Sequence, residues 1–388
     1  MKANWILVLV LGIVIASCSL GQEVKNDLEN FSLCGMVKSS KESTYEAIVE
    51  FGEITKGKSK NGIFDNVTIY FDKQGKLTEY NSYNSDGSLS VQISLNYDDR
   101  GNKIEFKMND SYDSLFYKMT YNYDDDGNLI ELNTYDSIDK FYSKATYTYD
   151  DNGNLIEDNI FNADGNLYSK STFKYNDDGK IIDEIHINLD RCIDSLITYN
   201  YYDNGYMIEL NSFDSVGNLY DKSTENYDNK GNLTEWNKFN SDGSLRSKST
   251  YTYDDQGNEI EWNMYNPDGS FDGKYTHDYD DNGNLIIENH YNADGSLDGK
   301  YIFDYDDNGN KIEESNYNAD GSLDLKTVWK YDDYGNELEW YRQNSDGDLT
   351  SKVSYKFVYD DKKNWIKKIE FDENDLPSEI VEREIEYY

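Results

Sequence analysis

Apolar and polar residues alternate along most of this chain in short runs, each closed by a cluster of Asp, Asn and Gly. Leu129-Ile130-Glu131-Leu132-Asn133-Thr134-Tyr135 is one such run. A two-residue period bounded by turn residues predicts β-strands. The turns keep strict time: Gly75, Gly101, Gly127 and their successors through Gly335 fall 26 residues apart. Twelve residues behind each comes a second series, Gly87, Gly165, Gly217, Gly243, Gly269, Gly295, Gly321 and Gly347, whose gaps are filled by Asp113, Asp139 and Arg191. Every unit therefore holds two turns and two strands. That is one β-hairpin per repeat, chained into an antiparallel meander.

The turns carry their own chemistry. The first reads Tyr149-Asp150-Asp151-Asn152-Gly153-Asn154, the second Asn292-Ala293-Asp294-Gly295-Ser296. Asn or Asp at the start and Gly at the fourth place fit a type I turn followed by a left-handed Gly, the three-residue hairpin loop. Pro267 in Asn266-Pro267-Asp268-Gly269 occupies a place that suits Pro in such a turn. Loop length fixes register, and register decides which side chains share a face. Counting from the first Gly of each repeat, three-residue loops put the even positions on one face: Leu at 2, acid at 4, aromatics at 8, 20 and 22, and an apolar residue at 14. The other face then holds variable residues at 5, 7 and 15, Lys at 17 and Thr at 19. One constant apolar face and one variable polar face suit a half-buried antiparallel sheet. Ile at position 3 does not fit this division.

The recurrent Tyr-Asp-Asp-x-Gly-Asn, with a further Tyr two residues earlier as at Tyr147 and Tyr251, resembles the YD repeat of Rhs-type proteins over about residues 65 to 365. The resemblance implies a long β-sheet that curls into a spiral or shell. The chain departs from the large toxin-bearing members in length and in lacking an appended effector domain, so a shell enclosing a toxin is not expected. The fold expected is all-β: a long antiparallel meander of about twelve 26-residue hairpin repeats, twisted or curled into a spiral sheet. The repeat array is assigned to residues 72–361. Residues 35–71 and 362–388 are read as terminal caps that blunt the open sheet edges.

The beginning of the chain has a different character. Lys2 precedes an apolar run from Trp5 to Ala16, too short to span a bilayer as a helix and ordered as a secretory signal peptide is. Ile15-Ala16-Ser17-Cys18 closely resembles the lipobox of bacterial lipoproteins. That resemblance implies cleavage after residue 17, acylation of Cys18 and anchoring in a membrane. Ser19 after the Cys resembles the pattern for export to the outer membrane. Residues 1–17 are thus a lipoprotein signal peptide, and 18–34 a lipidated Cys and polar tether. Cys34 and Cys192 remain, either as a disulfide in an oxidising envelope or as two buried thiols.

Composition narrows the function. A formal charge of −39 repels nucleic acid and anionic membrane surfaces. Leu, Ile, Val and Phe make up only about a fifth of the chain, near the disordered range, but aromatics reach 15% and each Tyr can bury a large apolar face. With 3 His and 3 Cys, and no phosphate loop, His-Glu-x-x-His or nucleophile elbow, the chain is not expected to be an enzyme.

Three constellations remain. The acids at position 4, Glu105, Glu131, Glu157, Glu209, Glu235, Glu261, Glu313 and Glu339 among them, form a row across the sheet. With Tyr123, Tyr149, Tyr253, Tyr279 and Tyr305 on the same face, the row reads as a saccharide-binding ladder or as carboxylates bonded within the curl. Trp236, Trp262 and Trp340 at position 5, on the variable face, read as a partner-binding strip or as sheet packing. The Asp-rich loops resemble fragments of calcium loops without completing one, so no cofactor is expected beyond weak calcium. The chain therefore reads as a lipid-anchored protein of the outer membrane, on its cell-surface or periplasmic face, serving as a non-catalytic scaffold for a protein or glycan. A saccharide-handling protein and a calcium-stiffened spacer are the alternatives.

Overall fold

The structure, a computed structural model, describes residues 27–388 except 61, 63–64, 111–113, 189–192, 204 and 215. The signal peptide, Cys18 and Cys192 lie outside the described residues, as do Asp113 and Arg191. Twenty-seven strands, numbered β1 to β27 in chain order, form one antiparallel sheet. A short 3-10 turn, Asp27–Phe31, precedes them.

Both turn series are three-residue loops. In the first, the Gly153 amide donates to the Asp150 carbonyl (3.0 Å) and the Asp150 amide to the Asn154 carbonyl (2.9 Å). Gly153 takes φ 83, a left-handed conformation open to Gly at no steric cost. In the second, Asn162 and Asn166 close the loop with Gly165 at φ 78. The Asp150 carboxylate accepts the amides of Asn152 and Asn154 on one oxygen and the Asn154 side chain on the other. Where Gly is absent the backbone keeps the geometry: Asp139 and Lys363 stand at φ 56 and 71.

The faces do not divide as the loops alone predict. Between β9 (Phe141–Tyr149) and β10 (Leu155–Phe161), Leu155 faces Tyr149, but Glu157 faces Thr148. Ile156 is an extra residue, a β-bulge just past the turn. A second bulge follows the other turn: in β11 (Leu167–Tyr175), Leu167 faces Phe161 and Ser169 faces Ile160, leaving Tyr168 extra. Each bulge moves the following residues by one and exchanges their faces. Tyr149 and Glu157 consequently point to opposite sides. This overturns the shared face expected for the Glu row and Tyr stripe, and accounts for the misfit at position 3. One face carries positions 4, 6, 8, 17, 19 and 21 and is called the ladder face below. The other, carrying 5, 7, 16, 18, 20 and 22, is the core face.

The sheet closes, where an open spiral with capped ends was expected. β1 (Val37–Glu50) pairs with β27 (Pro377–Tyr387) from Val37↔Tyr387 to Glu46↔Glu379. On its other side it pairs with β3 (Asn66–Phe71), from Ser39↔Tyr70 to Ser43↔Asn66. The strands between pair in sequence, so β1 and β3 through β27 make a closed barrel of 26 strands. The two atypical ends are joined to each other, which leaves the ring no free edge. β2 (Glu53–Ser59) folds back on the far half of β1 outside the ring.

Apolar burial concentrates beside this seam. Leu28 and Leu33 pack with Val67, Ile69, Phe71, Leu77, Ile93, Phe106, Met108 and Met119, the strand residues among them on or beside the core face. The Asp27 amide bonds to the Gly75 carbonyl and its carboxylate receives the Leu77 amide. Residues 27–33, expected to belong to the tether, are instead docked on the barrel. Burying each of the two leucines contributes about 1.5–3 kcal/mol. Cys34, exposed rather than buried, is held at the same rim by bonds between its backbone and the Asn364 side chain.

Candidate functional site

The Glu row lies on the ladder face as one rail of an ion-paired lattice. Lys170 reaches Glu157 (2.6 Å), Lys248 reaches Glu235 (2.5 Å), Lys274 reaches Glu261 (2.9 Å) and Lys326 reaches Glu313 (2.6 Å). Glu131 and Glu209 pair in the same way with Lys144 and Lys222, Glu105 pairs with Lys107 and Glu339 with Lys330. Asn at position 6 adds a second bond, as from Asn159 to Glu157 (2.6 Å) and Asn237 to Glu235 (2.8 Å). These bonds hold the carboxyls of Glu131, Glu157, Glu209, Glu235 and Glu261 below the usual glutamate range. Sequence placed the Lys series on the other face, and the bulge brings it to the acids.

The Tyr stripe is used at one rim. Tyr123, Tyr149, Tyr279 and Tyr305 donate to the carbonyls of Lys103, Leu129, Glu259 and Leu285, each twenty residues earlier in the same repeat (2.8–3.0 Å). Tyr253 holds the same position in its own repeat. Burial pushes the phenols of Tyr149, Tyr253, Tyr279 and Tyr305 above the usual value, so they stay protonated donors. Glu row and Tyr stripe therefore form no joint site.

Trp236, Trp262 and Trp340 lie on the core face, not on an outward variable strip. Trp262 stacks between Tyr251 (6.2 Å between centroids) and Tyr275 (5.0 Å). Lys238 lies over Trp236, and Trp340 stands opposite Trp329. The aromatic series continues through His290 to Tyr301. His277 sits between Glu259 and Glu288, both 3.6 Å away. The exposure expected at position 5 was lost with the same bulge.

Two features escaped sequence reading, both at the seam. The first is buried: Arg383 Nε and Nη2 donate to one oxygen of Glu42 (2.9 and 2.6 Å), and the guanidinium lies 3.6 Å above the Trp365 ring. Tyr80 is close by on the same face, its phenol pushed far up by burial and by the Glu42 charge. A lone Arg sharing parity with Val381 and Ile385 in an otherwise acidic strand was the available signal.

The second is a groove of about 910 Å³ on the ladder face, where β1 interrupts the repeats. Ser39, Lys41, Ser43 and Tyr45 line it from β1, Asn66, Thr68 and Tyr70 from β3, and Glu384 and Glu386 from β27. Tyr83 and the turn Asn84-Ser85-Asp86-Gly87 complete the wall. No sequence signal marks it, because its walls come from segments over 300 residues apart.

No family model matches this chain, and no curated protein matches it. Among solved structures it is similar to a Photorhabdus luminescens Tc holotoxin pore, at 12% identity over 81% of this chain and 19% of that one, with a TM-score of 0.40. It is also similar to TcdB2-TccC3 without its hypervariable C-terminal region, at 15% identity over 89% and 20%, TM-score 0.31. A porin-like protein from Bacteroides uniformis matches at 12% identity over 91% and 99%, TM-score 0.25. The chain thus spans about a fifth of the length of the first two. What the chain's own geometry establishes is a β-structure built from repeats and closed as a barrel.

Proposed function

We propose that this protein is a lipid-anchored barrel of the bacterial cell envelope, held at the outer membrane through Cys18, with a non-catalytic binding role and kinship to YD-repeat proteins. The observation that carries the reading is Ile15-Ala16-Ser17-Cys18 at the end of an apolar leader, followed so soon by a docked residue, Asp27. Nine residues, extended, reach at most about 30 Å. The barrel therefore rides close to the bilayer. Asp27 is bonded at the rim that carries Gly75, so that rim faces the membrane, and the rim with Asn84–Gly87 turns outward.

The strongly negative charge resists adsorption to anionic lipid, so the acyl anchor rather than the barrel surface provides attachment. The repeated acids and tyrosines hold the barrel together, which leaves binding to the irregular seam. Labelling with palmitate and membrane fractionation test the reading. The native chain incorporates label and sediments with outer membranes, whereas Cys18→Ala is unlabelled and leaves the membrane fraction. An unlabelled native chain, or a Cys18→Ala variant that stays on the membrane, would contradict it.

A further inference from the structure

The rings of the seam groove differ from those of the core face in what they do. Tyr251, Trp262 and Tyr275 spend their faces on one another. Among the described residues, the rings of Tyr70 and Tyr83 stack on no other ring and have no cation over them, and both line the groove. Lys56 covers Tyr45, at 4.8 Å from the centroid. In β3, Val67 pairs with Ser82, which sets Tyr83 one place further on, beside Asn66. Four residues of strand separate Asn66 from Tyr70, so the backbone positions that carry the two rings lie about 13 Å apart along the groove, and their phenols are near enough to influence one another.

The remaining wall is rich in hydroxyl, carboxamide and carboxylate groups: Ser39, Ser43, Thr68, Asn84, Asp86 and Glu384. Its charged lining is acidic, Glu42, Asp86, Glu384 and Glu386 against Lys41. Lys41, 3.8 Å from Glu384, Lys38 at the margin, 2.9 Å from Glu386, and Arg383 on Glu42 offset only part of that charge, so the groove disfavours an anionic ligand. The volume falls within the usual range of ligand sites. A folded protein partner would seek apolar anchors filling pockets. The two apolar lining residues, Val67 and Ile385, have core-face parity and offer none.

We propose that the groove between β27, β1, β3 and the Asn84–Gly87 turn binds a neutral oligosaccharide, whose sugar rings lie on Tyr70 and Tyr83 and whose hydroxyls bond the Ser, Thr, Asn and carboxylate wall. The inference deepens the binding role proposed above. It does not depend on acylation, so failure of the Cys18 test would leave it standing, and its own failure would leave the anchor standing.

The test uses the full chain in detergent on an array of neutral oligosaccharides of glucose, galactose, mannose and xylose, followed by titration calorimetry on the best ligand. Saturable binding is expected, weakened about tenfold or more by Tyr70→Ala and by Tyr83→Ala, equivalent to about 1.4 kcal/mol each. Tyr83→Phe, which keeps the ring, should stay within about threefold of the native chain. Glu157→Gln and Trp262→Phe, away from the groove, should bind as the native chain does. Unchanged thermal unfolding of the Tyr variants would assign their loss to the site rather than to the fold. Failure of every neutral oligosaccharide to bind would overturn the proposal. So would binding that survives both Tyr→Ala changes, or binding lost equally in Glu157→Gln.

Discussion

Closing a ring of this size puts its most distant segments in contact, and the Glu42–Arg383 pair is where that contact is charged. The Arg383 side chain is 5% exposed and that of Glu42 22%. Burial pulls the guanidinium below its usual pKa, and Glu42 opposes that pull. One donor, Nη1, has no hydrogen-bond partner in the structure. Desolvating both ions offsets most of their attraction, so the pair as a whole contributes little net stability. Removing one partner is a different matter.

Glu42→Gln strands a buried cation and should cost about 3–5 kcal/mol. Arg383→Met strands the less buried Glu42 and should cost less, although it also removes the contact with Trp365. Glu42→Met with Arg383→Met should recover most of the loss and leave the double variant within about 1–2 kcal/mol of the native chain. A long repeat array need not unfold in one step. Hydrogen exchange of the β1 and β27 amides is therefore read beside urea unfolding. In Glu42→Gln those strands should exchange first, ahead of the central repeats. A cost under about 1 kcal/mol, or a double variant as unstable as the two single losses combined, would refute this account of the seam.

Three further outcomes follow from the repeats. Asp158, at position 5 where sister repeats carry Leu132 and Leu210, has a carboxyl pushed up by burial and one oxygen without a partner. Asp158→Leu should raise stability by about 1 kcal/mol at pH 7 and by less at pH 3, where the acid is already neutral, as read by urea titration at both values. The ladder carboxyls titrate lower in the folded chain than in the unfolded one. Their contribution is complete above the ordinary glutamate value of about 4.3 and is lost as pH falls through the folded value. Lys170→Gln should accordingly cost about 0.5 kcal/mol at pH 7 and progressively less as the pH falls below the ordinary glutamate value, by thermal unfolding across that range. Tyr305→Phe removes one rim bond and should cost about 1 kcal/mol in the same measurement, with no change in the β-sheet circular dichroism.

The period, the hairpin unit and the loop type were legible because each is local: Gly153 or Gly165 with its Asp and Asn neighbours determines a turn without reference to the rest of the chain. The assignment of faces failed at one residue per strand. Ile156 broke the alternation and was the visible mark of the bulge, but a single apolar residue out of phase does not say whether the strand is bulged or the loop longer. That one residue separated Tyr149 from Glu157, joined Glu157 to Lys170 and turned Trp262 to the core face. Closure was illegible for another reason. The pairing of Val37–Glu46 with Glu379–Tyr387 repeats nothing, and strands that pair only with each other look, in sequence, like independent caps. The groove inherits that invisibility, since it exists only where those strands meet.

The closed ring is tested most directly by a disulfide across the seam. Lys41 and Glu384 stand opposite one another in β1 and β27, both exposed, where directly paired residues bring their Cβ atoms to about 4.5–5.5 Å. With Cys34 and Cys192 changed to Ser, the Lys41→Cys, Glu384→Cys chain is oxidised under native conditions and run on a non-reducing gel. The closed barrel predicts fast intrachain bonding and a compact band at every protein concentration. A thiol pair that stays reduced, or that bonds only between chains as concentration rises, would show the sheet to be open.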